Sequence, residues 1–143
     1  MADNAFARRL EALGSLVPRL EDVRVPFGTW QPMTGSGTSE DPYALPWFSL
    51  SELGKEFVSM VYETGWMLED FDWATWAHGA EGQLIANDRT ALACADQEQL
   101  AKLITALVRQ DRFVEGVLSN AYETGLLLAI AKRVQTLRGN VGS

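Results

Sequence analysis

A chain of 143 residues, 47% apolar and 22% charged, has the length and composition of one globular domain that can bury a core without staples. One cysteine and one histidine exclude an internal disulfide and a Cys/His structural zinc site. A net charge of −7 argues against direct binding to nucleic acid.

That charge is uneven. Residues 40–81 carry nine acidic side chains against Lys55 alone, a net of −8, while the flanking segments are close to neutral. The N-terminal stretch Met1 to Arg9 has no apolar core of the kind a signal peptide needs. The run Leu126 to Ala131 is far too short to cross a bilayer. The expectation is a cytoplasmic protein without a membrane segment.

The spacing of Phe6, Leu10, Leu13 and Val17 predicts a first helix from about Asn4 to Leu16, capped by Asp3 or Asn4, with Pro18 ending it or starting a short second segment. Residues 25 to 47 hold the other four prolines and read as a long connection. Its middle, residues 33–41, has almost nothing to bury and reads as mobile. Phe27, Trp30, Tyr43, Trp47 and Phe48 are expected to pin its edges onto the helical body. Gly35 and Gly37 lack the Gly-Lys-Ser/Thr ending of a phosphate loop.

Ser49 and Glu52 read as a capping box opening a second helix, with Leu50, Leu53, Phe57, Met60, Val61, Thr64 and Leu68 as its apolar stripe. Asp72 is placed to cap a short helix carrying Trp73 and Trp76. His78 to Leu84, with two glycines, reads as a loop. Asp96 and Gln99 form a second box, before the stripe Leu100, Leu103, Ile104 and Leu107. Asp111 is placed to cap a last helix from about Arg112 to Leu137, with residues 139–143 as a frayed tail. The predicted fold is all-α: a compact bundle of about four main helices, one domain over 1–143, with a long loop in its N-terminal half.

Ser59 to Leu68 and Ser119 to Leu128 agree at six of ten positions, sharing Tyr-Glu-Thr-Gly. A duplicated helix, a crossing point at Gly65 and Gly125, and coincidence of helix composition all remain open.

Pro46-Trp47-Phe48-Ser49, Tyr62 to Trp66, Phe71 to Trp76, Leu103 to Arg109 and Arg112-Phe113-Val114-Glu115-Gly116 together resemble a bacterial family, domain of unknown function 6508. The resemblance runs over roughly residues 43 to 137. It implies a helical domain and carries no activity, cofactor or site residue with it.

No nucleophile with a base, cofactor loop or metal set is evident, so no catalytic residue, metal or cofactor is expected, and the chain reads as a non-enzyme. Cys94 reads as a small buried hydrophobe and His78 as a loop or helix-end residue. The candidate surface is Trp66, Asp70, Asp72, Trp73 and Trp76 from one segment with Arg109 and Arg112 from another. Arginine forks suit carboxylates, so this set reads either as an ion-pair clamp, the commoner arrangement, or as a partner-binding surface. The leading function is a protein-binding or regulatory module whose partner offers a basic or apolar surface; self-association stays open. The alternative is an acidic decoy, such as a phage or mobile-element inhibitor of a bacterial defence nuclease (anti-CRISPR-like), acting through Glu52, Glu56 and Glu63. A merely solvated helix face accounts for the same charges.

Overall fold

The computed structural model describes residues 3–22 and 25–141. Its elements in chain order are α1 (Asp3–Gly14), α2 (Val17–Glu21), β1 (Gly28–Gln31), β2 (Trp47–Leu50), α3 (Glu52–Glu63), α4 (Trp73–His78), α5 (Ala80–Asn87), α6 (Arg89–Leu92), α7 (Gln97–Asp111), α8 (Val117–Glu123) and α9 (Leu126–Val141). The chain is mostly helical. It has four long helices (α1, α3, α7 and α9), but the short helices and a hairpin between them make it something other than a regular four-helix bundle.

The first stripe buries as its spacing requires, with Leu10, Leu13 and Val17 in the core. Phe6 and the Asp3 or Asn4 cap fall outside the described side chains. α1 lies antiparallel along α9: Gln135 Nε2 donates to the Gly14 carbonyl at 2.9 Å, and Arg138 faces Glu11 at 3.8 Å. α7 is buried along most of its length and packs against α4, α8 and α9. Its capping box forms as the sequence predicts. The Asp96 carboxylate accepts from Gln99 N–H at 2.8 Å, and the Gln99 side chain accepts from Asp96 N–H at 3.0 Å.

The other predicted box does not form. Ser49 sits inside β2, paired with Thr29, and Ser51 caps α3 instead by accepting from Gly54 N–H at 3.2 Å. Ser51 is also tied to the hairpin, because its backbone N–H and its hydroxyl both donate to the Phe27 carbonyl at 2.9 Å. Strand pairing claims Ser49 first, so the helix begins later.

The long connection is a hairpin stem with an extended loop. β1 and β2 pair antiparallel from Gly28–Leu50 to Gln31–Trp47, and a bridge between Thr34 and Ala44 continues the closure. Within the loop, Asp41 Oδ2 accepts from the Ser36 N–H at 3.1 Å and its hydroxyl at 2.9 Å. Only Phe27 is fully buried among the five expected aromatic pins, with its ring 5.9 Å from Phe57 and 5.4 Å from Tyr122. Phe48 is half-buried, while Trp30, Tyr43 and Trp47 are exposed.

Two further corrections concern helix limits. The segment expected as a loop from His78 to Leu84 is largely α5, which starts at the Gly79 cap and runs to Asn87. Gly82 belongs there because a Cβ would lie 2.3 Å from the Trp76 carbonyl oxygen. The expected last helix is broken at Gly116 and Gly125, both with positive φ, into a turn, α8 and α9. Asp111 is therefore the last residue of α7 and not the N-cap, which is Gly116, but its carboxylate reaches over that turn to accept from Leu118 N–H in the first turn of α8 at 3.1 Å. α9 continues through 139–141, and residues 142–143 lie outside the described residues.

The shared Tyr-Glu-Thr-Gly has a local explanation. It ends α3 and α8 alike, with Gly65 at φ +85° and Gly125 at φ +84°. Trp66 N–H reaches the Val61 carbonyl at 3.1 Å, and Gly125 N–H the Tyr122 carbonyl at 3.1 Å, as in left-handed helix stops. A Cβ at either glycine would meet nothing within 4 Å, so neither marks a close helix crossing.

Candidate functional site

The structure disperses the predicted Asp/Trp/Arg set among separate structural duties. Trp66 follows the left-handed stop of α3 and is driven wholly into the core, so it belongs to no surface. Its indole N–H donates to the Arg9 carbonyl at 3.0 Å, and the Arg9 guanidinium lies over its ring at 4.3 Å. Burial pushes the Arg9 guanidinium below its ordinary pKa. Arg9 also donates to the Gly65 carbonyl and to Gln97 Oε1.

Asp70 is exposed with φ +49°. Asp72 caps α4, accepting from Thr75 N–H at 3.2 Å and from its hydroxyl at 2.6 Å. The hydroxyl, then the backbone N–H, hold the Asp72 carboxyl below its ordinary range. Trp73 stacks on Phe113, with centroids 6.2 Å apart and planes 22° apart. Trp76 donates to Glu81 Oε1 at 2.9 Å and its ring neighbours Phe71.

Arg109 donates to the Leu68 carbonyl at 3.3 Å and Arg112 to the Tyr62 hydroxyl at 3.2 Å. Among the described residues no ion pair joins Asp70 or Asp72 to either arginine. The 66–76 segment is clamped to α7, but through its backbone. Besides Arg109, the buried Thr105 hydroxyl accepts from Leu68 N–H at 3.0 Å and donates to the Trp66 carbonyl at 3.4 Å.

On the acidic face, Glu56 is ion-paired with Arg19 of α2, while Glu52 and Glu63 are exposed and have no ion-pair partner among the described residues. Cys94 is exposed rather than buried. His78 ends α4, and its Nδ1–H donates to the Ala74 carbonyl at 2.8 Å.

Two adjoining clefts lie elsewhere. A cleft of about 710 Å³ opens between α5, the end of α7 and α8, with Leu107, Val117 and Leu126 contributing apolar surface and Arg89, Gln110 and Asn120 polar groups. A second cleft of about 300 Å³ lies between the hairpin and α8, lined by Trp30, Phe48, Glu115, Asn120 and Glu123. The two share Glu115, Gly116 and Asn120. Glu115 Oε2 accepts from Phe48 N–H at 2.9 Å and so ties the hairpin to the turn before α8. Trp30 meets Phe48 edge-on at 5.4 Å. Gly116 lies under the indole: a Cβ there would sit 3.3 Å from Trp30 Cζ2, and its φ is +96°.

Sequence reasoning passed over Glu115 and Gly116 because it ran one helix through them. The break was signalled by Gly116, and a tryptophan on a polar connection was the only signal for the opposite wall. Among the described residues no group of three or more His, Cys, Asp or Glu is arranged to hold a metal ion, and no helix is long and apolar enough to cross a membrane.

No curated protein and no solved structure matches the chain. The model of a family of unknown function, DUF6508, matches residues 5–140, nearly the whole length and more than the resemblance over 43 to 137 reached, and the chain therefore belongs to that family.

Proposed function

We propose that this domain is a non-enzymatic protein-binding module, regulatory rather than catalytic, whose contact element is the β1–β2 hairpin and its loop. One observation carries the reading. Trp30, Met33, Tyr43, Leu45 and Trp47 fall within one 18-residue stretch, and each is more than half exposed. Scattered single apolar residues on a surface are ordinary, but several large ones gathered on one projecting element are typical of an interaction site. Trp and Tyr supply large contact area at small entropic cost, which makes them frequent anchors of interfaces.

The test compares tagged full-length protein with a variant carrying Trp47→Ser and Leu45→Ser, in affinity capture from host lysate followed by mass spectrometry. Both side chains are exposed, so thermal unfolding should be unchanged. Loss of specific co-purifying proteins supports the reading; an identical set from both baits rejects it.

The decoy reading is second. It draws on Glu52 and Glu63, which are exposed, but Arg19 already neutralises Glu56. Reversing Glu52 and Glu63 to lysine would abolish binding to a basic cleft while leaving capture through the hairpin intact.

A further inference from the structure

The smaller cleft has a definite chemical preference. Glu115 and Glu123 both line it, and neither has an ion-pair partner among the described residues. Among the described residues no lysine or arginine lines it. Glu115 spends one oxygen on Phe48 N–H, which fixes its carboxylate in place. Glu123 is the last residue of α8, with no basic side chain in that turn, so the negative helix end adds to its own charge. The remaining wall is the indole of Trp30, held by Phe48 at its edge and Gly116 beneath it. An aromatic face and two carboxylates attract the same kind of guest, a cation, and repel an anion.

The cleft volume, about 300 Å³, is at the small end of ligand sites and suits one long side chain rather than a folded element. It also adjoins a second concavity. It shares Glu115, Gly116 and Asn120 with the larger cleft, where Leu107, Val117 and Leu126 offer apolar contact.

We propose that this cleft receives one lysine or arginine side chain of the partner protein, with a neighbouring apolar residue of the partner in the larger cleft. The assignment rests on the protein-binding reading above and names what the bound segment must contain: a basic residue beside an apolar one. The guest cation supplies the charge that Glu115 and Glu123 lack, and its flat or methylene surface covers the indole.

The experiment titrates isotope-labelled full-length protein with the capped peptide acetyl-Gly-Arg-Leu-Gly-amide, its citrulline counterpart, and the free diamine putrescine. The readout is the Trp30 indole N–H resonance, assigned by its loss in Trp30→Phe. The arginine peptide should shift it saturably and the citrulline peptide should not. Trp30→Ala, followed through the Gly116 backbone amide because the indole resonance is gone, should weaken binding about two- to fivefold, as expected for a solvent-accessible cation–π contact. The exposed Glu123→Gln, which leaves the Glu115 bond intact, should weaken it further at low salt than at high salt. Equal binding of the citrulline peptide, indifference to Glu123→Gln, or no shift with the arginine peptide overturns the assignment. Putrescine binding as tightly as the peptide overturns its protein-partner half. If hairpin-dependent capture persists while the arginine peptide fails, the cleft assignment falls and the protein-binding reading stands. If capture never depends on the hairpin, that reading falls by itself.

Discussion

The Arg9 guanidinium lies 4.3 Å from the centre of the Trp66 ring, while the Trp66 indole N–H donates back to the Arg9 carbonyl at 3.0 Å. The two residues hold each other through side chain and backbone at once, 57 positions apart. Trp66→Phe keeps a ring but removes the indole bond to the Arg9 carbonyl, which retains its bond within α1, and weakens the cation contact, so it should cost about 1–2 kcal/mol. Trp66→Ala opens a core cavity and should cost about 3–5 kcal/mol. Urea unfolding monitored by far-UV circular dichroism, with an unchanged slope, measures both.

Thr105 is the polar pin between α7 and the segment after α3. Thr105→Val preserves shape but leaves Leu68 N–H and the Trp66 carbonyl without this partner, at a cost of about 1–3 kcal/mol. Thr105→Ser should restore most of that loss, which separates the hydroxyl's role from packing.

The glycines sort by backbone angle. Gly65→Ala forces a Cβ into the left-handed region and should destabilise by about 1–2 kcal/mol although space around it is open. Gly139 lies within α9, where a Cβ would also meet nothing, and Gly139→Ala should stabilise by up to about 1 kcal/mol. Opposite signs in two thermal melts check the pair.

Asp72 makes the order of α4 dependent on acid. Its carboxyl is held below the ordinary value of 3.8 by the Thr75 hydroxyl and backbone N–H. Because the folded value is depressed, the stabilising contribution is present above the ordinary value and lost as pH falls through the folded one. The Thr75 amide resonance should follow that titration, and Asp72→Asn, which can still accept a bond, should flatten the curve.

Tyr122 titrates in the other direction. Its hydroxyl donates to the Asp22 and Val25 carbonyls, and burial, then the Asp22 charge, raise its pKa. A raised folded value means that its contribution is complete below the ordinary value of 10.0 and is lost as pH rises through the folded one. Tyr122→Phe should cost about 1–2 kcal/mol at neutral pH and remove this alkaline loss, read from denaturation midpoints at neutral and high pH.

Much of this architecture is legible from short-range chemistry. The α7 box and the Asp72 cap are read correctly because each depends on residues three positions apart. The α1 and α7 stripes likewise report their buried faces. What escapes depends on distant partners. Thr29 recruits Ser49 into a strand from 20 residues away, and nothing near Ser49 announces it. Arg109 and Arg112 find a carbonyl and a phenol rather than Asp70 and Asp72, because α4 turns the Asp72 carboxylate onto its own N-terminus. The cleft walls come from residues 30, 48 and 115–123, so no local pattern could assemble them.

The bond from Phe48 N–H to Glu115 has a consequence for motion. Among the described residues, apart from Phe27, Leu50 and Ser51 at its foot, the hairpin meets the helical body chiefly through that one charged acceptor and the seat of Trp30 on Gly116. Such a flap should open without global unfolding, and its amides should exchange with solvent far faster than those of α7. A guest in the cleft would touch both sides of the seam and close it. Slowed exchange at Phe48 and Trp30 would then report occupancy even for a partner too weak to purify.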